Sequence, residues 1–579
     1  MYVVIPVIAL SQIPNTFHSS DLFRLTSLLV FTILILLFNQ KYFNINHIIQ
    51  ILPIILILIY SVNELILRND LTSYLIGRFN RYGGTISLFC FFIFFVLSTN
   101  ANLKARENFT KSIFSTYILF TIHGLLTLFG IINNYIFFDA NDRRLEESKV
   151  LSLTFGNPNM ASAFLGISIS IHLFVLLFKE LKGYVYQVPL FLINVYLLYR
   201  TESIQGWVLV LISILLYLFL ILRRRIIKLN LKSYLLICIF SISAIALIFL
   251  NISRIREFIV VGGNAVARIN YWKASIRIWQ DYKYTGVGID NLGEYSTFYR
   301  DPVLVKQEGI WTIPDRTHNV AIDHFVNGGI FAGLLWLVLI VSVSFLAVKI
   351  ILSDRKSFIS VYDFCIVIIW FGYLIQSLLS VDHILLTLIG FCSAGLIVSK
   401  GEESLDTKIL KKYKSIYSTV VLLIVLLLFS LSQLRLDYSV NQFLNKGKTE
   451  NLDKIYNAKF IDQQSLLDVV VKVSGDKQFK LAALLGDKLL KLNPYAHQAY
   501  YAKSVFLESE GEILKAKSEM EKAHNVDKYN SVYTLSLGIY EFNLKNYPKA
   551  KFWLNETLNL NPNQQGIEIL QRSISEKSP

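Results

Sequence analysis

The chain has 579 residues, of which 54% are hydrophobic and only 17% are charged. Soluble globular domains are about 45–50% apolar and about 25% charged, so many side chains here require a surface that does not face water. The 56 Lys and Arg residues against 41 Asp and Glu residues give a formal net charge of +15. These figures exclude a disordered chain, a collagen-like repeat and a disulfide scaffold, and they favour a membrane protein.

Long apolar runs recur along the chain, and a bilayer core about 30 Å thick needs about 20 such residues per helix. The qualifying runs are 22–38, 45–66, 82–98, 112–131, 160–178, 184–200, 204–222, 234–251, 328–352, 361–380, 383–399 and 416–434. The Pro-interrupted run 2–14 is a shorter candidate; since no basic segment or cleavage site accompanies it, we expect a retained helix and not a signal peptide. The sequence therefore predicts an all-α, polytopic bundle of about 12–13 spans.

Basic residues predict how these helices are oriented. The densest basic segment contains no acidic residue and consists of Arg223, Arg224, Arg225, Lys228 and Lys232. Because cytoplasmic loops of membrane proteins are enriched in Lys and Arg, we place this segment in the cytoplasm. The other basic loops then alternate consistently, and two large polar segments fall on the extracytoplasmic side. The chain thus divides into membrane helices at 1–251, an outer loop at 252–327, membrane helices at 328–434 and a helical region at 440–579.

The C-terminal region has an internal period of 34 residues (527 − 493 and 561 − 527). Its repeating positions are Asn493-Pro494, Asp527-Lys528 and Asn561-Pro562, together with Ala482, Ala516 and Ala550. This period is typical of tetratricopeptide repeats, which are stacked pairs of antiparallel helices. Such repeats usually bind peptides or proteins, so a protein partner is expected; an unrelated helical tail is the alternative.

The outer loop opens with a predicted amphipathic helix. Its apolar face consists of Ile269, Trp272, Ile276 and Trp279. Trp in such a helix favours the membrane interface, and a helix that only rests on lipid is one interpretation. The loop also carries cations on the side where membrane proteins have few: Arg268, Lys273, Arg277, Arg300, Lys306 and Arg316. Some are expected in structural ion pairs, and the others suit a phosphate-bearing lipid, because guanidinium matches phosphate oxygens.

A histidine stands where the outer loop re-enters the membrane. His318 and Asn319 precede the next apolar run, and His324 follows six residues later. Imidazole exchanges a proton near neutral pH, so His318 is a candidate base for a hydroxyl nucleophile. An interfacial His that only forms hydrogen bonds is the bland alternative, and two His at this spacing are a weak indication of a metal.

Further polar residues lie on the predicted outer surface. Asn157 and Asn159 flank the Pro of GNPN at a predicted helix start, where N-capping is a sufficient explanation for both. Gln205 lies in TESIQG between two spans, and Arg81 lies in GRFNRYGG. These segments concentrate the unusual polarity on one side of the bundle.

In these motifs the chain resembles the O-antigen ligase and polymerase family of bacterial membrane glycosyltransferases. The matching segments are GNPN-x-x-A-x-F-L, T-x-S-x-Q-G, R-x-x-x-W followed by GVG-x-x-N and Tyr295, and His-Asn followed by Gly329. The resemblance covers roughly 20–400, and members with C-terminal tetratricopeptide repeats are a familiar variant. Tyr284 stands where the family usually has Pro, and Ala332 where it has Gly; these departures put loop geometry in doubt more than activity.

The resemblance implies a metal-independent fold of the GT-C kind without a cofactor. It implies transfer of a glycan from undecaprenyl pyrophosphate to an acceptor hydroxyl at the outer face of the bacterial cytoplasmic membrane. His318 matches the catalytic His and Arg268 an Arg of the pyrophosphate site, while Arg81 is a weaker match. We also assign Arg277 to the pyrophosphate, and Asn319, Asn159, Gln205 and Trp272 to supporting roles.

Several functions remain open at this stage. A polysaccharide polymerase and a protein O-oligosaccharyltransferase share these motifs, so the acceptor is a glycan, a lipid or a protein, and nucleic acid is not an expected partner. A lipid-glycan flippase is the alternative from another class. Transporters tend to have polar residues at mid-membrane. Here the spans are nearly free of charge, which favours transfer over transport.

Overall fold

The structure, a computed structural model, describes residues 1–12, 21–40, 43, 45, 48–67, 70–78, 81–132, 150–178, 184–224, 264–310, 312–352, 360–401 and 416–577. Within these ranges the regular elements are helical and no strand occurs. The all-α prediction is therefore confirmed. The predicted span 234–251 lies outside the described residues, as do Arg225, Lys228 and Lys232 of the basic segment.

The first nine helices form the N-terminal half of the bundle. They are α1 (Val4–Leu10), α2 (Asp21–Phe38), α3 (Leu52–Leu67), α4 (Leu71–Ile76), α5 (Thr85–Thr99), α6 (Leu103–Leu128), α7 (Pro158–Phe178), α8 (Tyr184–Arg200) and α9 (Gln205–Arg224). The outer loop contains α10 (Asn264–Asp281), α11 (Leu292–Tyr299) and α12 (Pro302–Glu308). The second membrane half contains α13 (Val320–Leu352), α14 (Val361–Leu379), α15 (Ile384–Gly401) and α16 (Ile416–Leu444).

Helices coincide with every predicted span that the structure describes. By length and hydropathy, seven of the described helices can cross a membrane, and three shorter apolar helices accompany them. Two predicted boundaries shift. The segment 320–327, assigned to the outer loop, is helical and forms the first part of α13, before the interruption at Gly329, and α16 continues beyond 434 to Leu444. The chain is a multi-pass membrane protein.

Small residues let the central helices approach closely. Gly395 of α15 lies against the backbone carbonyl of Phe95 in α5, and the rings of Phe91 and Phe391 stack 5.7 Å apart between the same two helices. Gly166 of α7 lies against the backbone of Gly206 in α9. Helix association in a bilayer depends on such packing, because lipid tails are as apolar as the side chains and give little hydrophobic driving force.

The C-terminal region is a series of consecutive helices. They are α17 (Leu452–Asn457), α18 (Gln463–Gly475), α19 (Phe479–Leu492), α20 (His497–Ser509), α21 (Ile513–Val526), α22 (Ser531–Asn543), α23 (Tyr547–Leu560) and α24 (Ile567–Lys577). The starts of α19, α21 and α23 are 34 residues apart (513 − 479 and 547 − 513). The recurring alanines, Ala482, Ala516 and Ala550, are fully buried. The helical period agrees with the repeat in the sequence, and its assignment as tetratricopeptide repeats stays a prediction.

The outer loop and the C-terminal region contact each other directly. Arg300, at the end of α11, forms a 2.5 Å ion pair with Asp527, and both side chains are almost completely buried. The rings of Tyr295 and Tyr495 lie 5.0 Å apart, and Lys528 lies over the ring of Phe298. The two regions therefore lie on the same side of the helix bundle.

Candidate active site

The helix α10 packs one face against the end of the outer loop. The indole Nε1 of Trp272 donates a 2.9 Å hydrogen bond to the carbonyl of Thr317, and the ring of Tyr271 stacks on His318 with centroids 5.7 Å apart. The predicted apolar face is thus divided, because Trp272 turns toward the protein while Ile269 and Ile276 are exposed. Trp272 holds the residue before His318 in addition to any contact with lipid.

His318 has an unusual backbone and a shielded ring. Its φ of 58° lies in the left-handed region, which few non-glycine residues adopt and which concentrates at functional sites. Burial lowers the pKa of His318 to about 4, although the negative charge of Asp315 opposes this shift. The imidazole is therefore neutral at physiological pH and able to accept a proton or a hydrogen bond.

The C-terminal end of α14 collects three of the predicted site residues. Its last-turn carbonyls accept hydrogen bonds from Arg268 (2.6 Å to Leu379), Asn319 (3.2 Å to Leu378) and Gln205 (3.3 Å to Gln376). The last carbonyls of a helix lack partners within the helix and carry a partial negative charge, so they attract donors and cations. Burial also lowers the pKa of Arg268.

Arg81 is joined to the segment that precedes His318. Its Nε lies 2.7 Å from one carboxylate oxygen of Asp315 and its Nη2 lies 3.3 Å from the other. Burial alone would raise the pKa of Asp315, but the guanidinium of Arg81 holds it at about 2. Arg81 therefore reaches the site from the α4–α5 segment, with part of its charge already neutralised.

A buried ion-pair network lies beneath this segment. Arg316 pairs with Asp290, and its Nη1 is 3.7 Å from the carboxylate of Asp323. The other oxygen of Asp290 accepts hydrogen bonds from the backbone N–H groups of Arg78 (3.0 Å) and Gly83 (3.2 Å). These contacts confirm that some cations of the outer loop form structural ion pairs. The sequence reading did not single out Asp290, whose only signal was an acid in a Gly-rich turn.

The GVG motif and Gly329 form a backbone clasp. The N–H groups of Val287 and Gly288 donate to the carbonyls of Val326 and Asn327, at 2.9 and 3.0 Å. The N–H of Ile330 donates to the carbonyl of Lys283, because α13 is interrupted at Gly329, where φ is 72°. The motif glycines therefore fix the loop against the start of α13.

The two N-terminal motifs are joined to each other. Asn157 caps α7 by accepting from the N–H of Asn159, as the capping interpretation predicts. The side chain of Asn159 turns to another partner, since its Oδ1 accepts a 2.8 Å hydrogen bond from Ser203. Asn159 thereby ties the GNPN segment to TESIQG, which also carries Gln205.

Two residues lie apart from the group around His318. Arg277 is nine residues from Arg268 (277 − 268), which at 3.6 residues per turn puts it on the opposite face of α10. It pairs there with Asp301 at 3.6 Å. His324 lies 2.8 Å from the hydroxyl of Tyr60 and stacks on Trp336. The structure brings together Arg268, Trp272, Asn319 and His318, but it does not bring Arg277 to them.

A cavity of about 540 Å³ opens beside the Arg81–Asp315 pair. Arg78 also lines this cavity. Arg78 belongs to the same GRFNRYGG segment as Arg81, but from the sequence only Arg81 was predicted to be a site residue. The signal was present in the paired basic residues of GRFNRYGG, but only the fold distinguishes their roles.

Residues 189–337 match the family model described as O-antigen ligase. The chain carries an O-antigen ligase domain. The matched range contains His318, Arg268, Trp272, Asn319 and Gln205, so the resemblance drawn from the motifs is confirmed. Arg81, Asn159 and the C-terminal helices lie outside that range. No curated protein matches the chain. The domain assigns the protein to glycan transfer of the ligase and polymerase type, with a lipid-linked glycan donor and a glycan acceptor in general terms.

Gly329→Ala is expected to destabilise the protein more than Gly130→Ala. The two glycines have φ values of 72° and 68°, which a Cβ disfavours, and the ψ of −173° at Gly329 is essentially restricted to glycine. A Cβ at Gly329 would also collide with the backbone carbonyl of Tyr284, whereas within the described part of the chain nothing lies within 4 Å of a Cβ at Gly130. Thermal unfolding in detergent measures the difference, and equal losses would contradict the clasp as an anchor.

Proposed function

We propose that the protein transfers a glycan from undecaprenyl pyrophosphate to an acceptor hydroxyl at the outer face of the bacterial cytoplasmic membrane. In this proposal the outer loop 252–327 and the helical region 440–579 are extracytoplasmic. The observation that supports it most is that His318 and Arg268 lie close together within the O-antigen ligase domain. They lie where the first half of α10, the start of α13 and the end of α14 come together. A neutral imidazole and a guanidinium are the groups that a hydroxyl nucleophile and a pyrophosphate leaving group require.

The reaction is an in-line displacement at the anomeric carbon. The acceptor oxygen forms a bond to that carbon as the bond to the pyrophosphate oxygen breaks, so the configuration inverts. The hydroxyl proton passes to His318. Because its Nδ1 is enclosed and has no hydrogen-bond partner in the described part of the chain, we assign the proton to Nε2. The leaving group departs with an added negative charge, which cations fixed in advance can stabilise.

Arg268 and Arg81 are assigned to the pyrophosphate. Arg268 donates a hydrogen bond to the end of α14, and a guanidinium has five N–H donors in a planar arrangement that matches phosphate oxygens. Arg81 shares its charge with Asp315 and therefore contributes less than a separate cation would. Guanidinium supplies the charge neutralisation that the chemistry needs, so the proposal requires no metal. Asn319, Gln205 and Trp272 are positioning residues, and Asn159 acts one step further away through Ser203.

His318→Ala is expected to lower glycan transfer by about 10²–10⁴-fold, the usual contribution of general-base catalysis. The assay is the release of undecaprenyl pyrophosphate upon acceptor addition by protein reconstituted in liposomes. His524→Ala is the matched control, because His524 lies in α21 against Trp553 and away from the cavity. Normal transfer by His318→Ala would refute the assignment. Lipid-linked glycan that crosses the bilayer without release would indicate a flippase instead.

The pH dependence of the rate is expected to differ between free and donor-bound enzyme. The pKa of His318 is about 4 in the free enzyme, where activity persists above that pH and is lost below it. A bound pyrophosphate places negative charge beside the imidazole and raises its pKa, because the charged form becomes favoured. The acid limb of kcat should therefore lie at higher pH than that of kcat/KM. Coincident limbs would contradict a His318 next to the pyrophosphate.

Arg268→Ala is expected to impair transfer much more than Arg277→Ala. Both residues belong to α10, but only Arg268 faces the His318 segment, while Arg277 pairs with Asp301. Loss of one charge-stabilising donor typically lowers kcat by about 10²–10³-fold. Arg268→Lys should restore part of the rate because it keeps the charge without the planar fork. Near-normal transfer by Arg268→Ala would remove Arg268 from the pyrophosphate site, and a loss of that size in Arg277→Ala would restore the earlier assignment of Arg277.

Ligase, polymerase and protein oligosaccharyltransferase chemistry differ only in the acceptor. A deletion strain distinguishes the first two, because accumulated long lipid-linked polymer indicates a ligase and accumulated single repeats indicate a polymerase. Transfer to Ser or Thr of a protein would leave glycan-free protein in the same strain. We place the ligase first because the matched domain carries that description.

A further inference from the structure

The cavity beside Arg81 has walls from three distant parts of the chain. The bundle contributes Arg78 and Asn157, and the outer loop contributes Asn291 and Glu294. The third wall comes from the C-terminal region, at the start of α18 and around the start of α20: Asp462, Gln463, Gln464, Asn493, His497 and Gln498. The C-terminal helices therefore form part of an enclosure that also includes Arg81 of the proposed active site.

His497 lines this enclosure and contains a buried polar atom without a partner. The side chain is only 2% exposed, and its Nδ1 is 2.7 Å from the hydroxyl of Tyr533. Its Nε2 is buried without a hydrogen-bond partner in the described ranges. A buried polar atom without a partner lowers stability by about 1–3 kcal/mol, so such an atom in a cavity wall indicates a ligand or water that satisfies it.

The opposite wall contains a guanidinium with similar properties. The Nη1 of Arg78 is buried, and no acceptor for it occurs among the residues described. Gly293 makes room for this group, since a Cβ at that position would collide with it. The neighbouring Glu294 is half-buried, and its desolvation raises its pKa to about 8 despite the positive charge of Arg78. Glu294 is therefore largely protonated at neutral pH and can both donate and accept a hydrogen bond.

The chemistry of the walls selects the class of ligand. Polar side chains outnumber apolar ones, and six of them are amides, each of which offers donors and acceptors together, as the hydroxyl groups of a sugar do. A lipid chain would require a mainly apolar lining, which this cavity does not have. Its volume of about 540 Å³ is within the usual range of ligand sites. The rings of Tyr495 and Phe155 add apolar surface at the edge of this polar set.

The position of the C-terminal wall is fixed by a buried charge. Asp527 holds Arg300 of the outer loop through one carboxylate oxygen, and its other oxygen lies 3.9 Å from Nδ1 of His497. Replacing either charged partner alone would leave the other buried and unpaired, which is strongly destabilising. The pair therefore specifies how the C-terminal wall meets the outer loop.

We propose that this cavity is a saccharide-binding site and that the C-terminal helical region forms one of its walls. The inference deepens the proposed transferase function and rests on it for the reason why a saccharide is present. The saccharide is either the glycan of the lipid-linked donor or that of the acceptor, and the same groups recognise hydroxyls from both sources.

The test replaces amides of the C-terminal wall in the full chain. Gln463→Ala/Gln498→Ala is compared with Gln571→Ala, which alters the same residue type at an exposed position of α24 outside the cavity. The ligands are the oligosaccharide released by mild acid from the lipid-linked pool of a deletion strain, and the unmodified acceptor of that strain. Binding to purified protein is measured by calorimetry, and KM is measured for each substrate.

We expect the double variant to bind one of the two saccharides about 10-fold more weakly, as the loss of one or two hydrogen bonds predicts, with kcat unchanged. A raised KM for the donor or for the acceptor identifies the source. Gln571→Ala should bind as the wild type does. Equal binding by all three proteins would overturn the proposal, and so would competition by a peptide but not by either saccharide. Direct binding is independent of turnover, so failure of the transferase proposal alone would leave this result intact.

Discussion

The charge of Arg316 is the constraint on which the outer site depends. A guanidinium in a protein interior stays protonated and must be paired, because burying it alone is very unfavourable. Arg316 meets this requirement with Asp290 from the Gly-rich turn and Asp323 from the first turn of α13. Asp290 in turn holds the backbone at Arg78 and Gly83. One buried charge therefore fixes three segments, and Asp315 and His318 lie within two residues of it.

The left-handed backbone of His318 is easier to understand in this setting. Arg316 holds the chain on one side of His318, while Asn319 caps α13 on the other by accepting from the N–H of Ile322. Because both neighbouring segments are fixed, the backbone of His318 is held at a positive φ. Such a strained conformation persists only where the surrounding structure imposes it. The ring is thereby directed against Tyr271, away from bulk water, which is the cause of its low pKa.

Much of the fold follows from local features of the sequence. Apolar runs of the right length became helices because the requirement for internal hydrogen bonding in a bilayer leaves few alternatives. The capping of α7 by Asn157 and the 34-residue helical period were also predictable, because both depend on residues close in the chain. His318 and Arg268 were recognised from motifs, and the fold then gave them neighbours.

The pairings between distant segments were not predictable from one sequence. Arg81 and Asp315 are separated by 234 residues, and Arg300 and Asp527 by 227, so no periodicity connects them. Arg277 was assigned to the pyrophosphate from its charge alone. Its position on α10 instead places it beside Asp301, which the sequence could not reveal. Arg78 was overlooked because the sequence does not reveal that its neighbour across the fold is Gly293, which leaves room for a guanidinium.

The end of α14 has a mechanical consequence for the site. Arg268, Asn319 and Gln205 are attached to carbonyls in the last turn of one helix, so a displacement of that helix carries all three together and preserves their spacing. The tilt of a transmembrane helix is set by packing against its neighbours, and most of α14 is buried within the bundle. The level of these three groups is therefore fixed by the packing of the bundle.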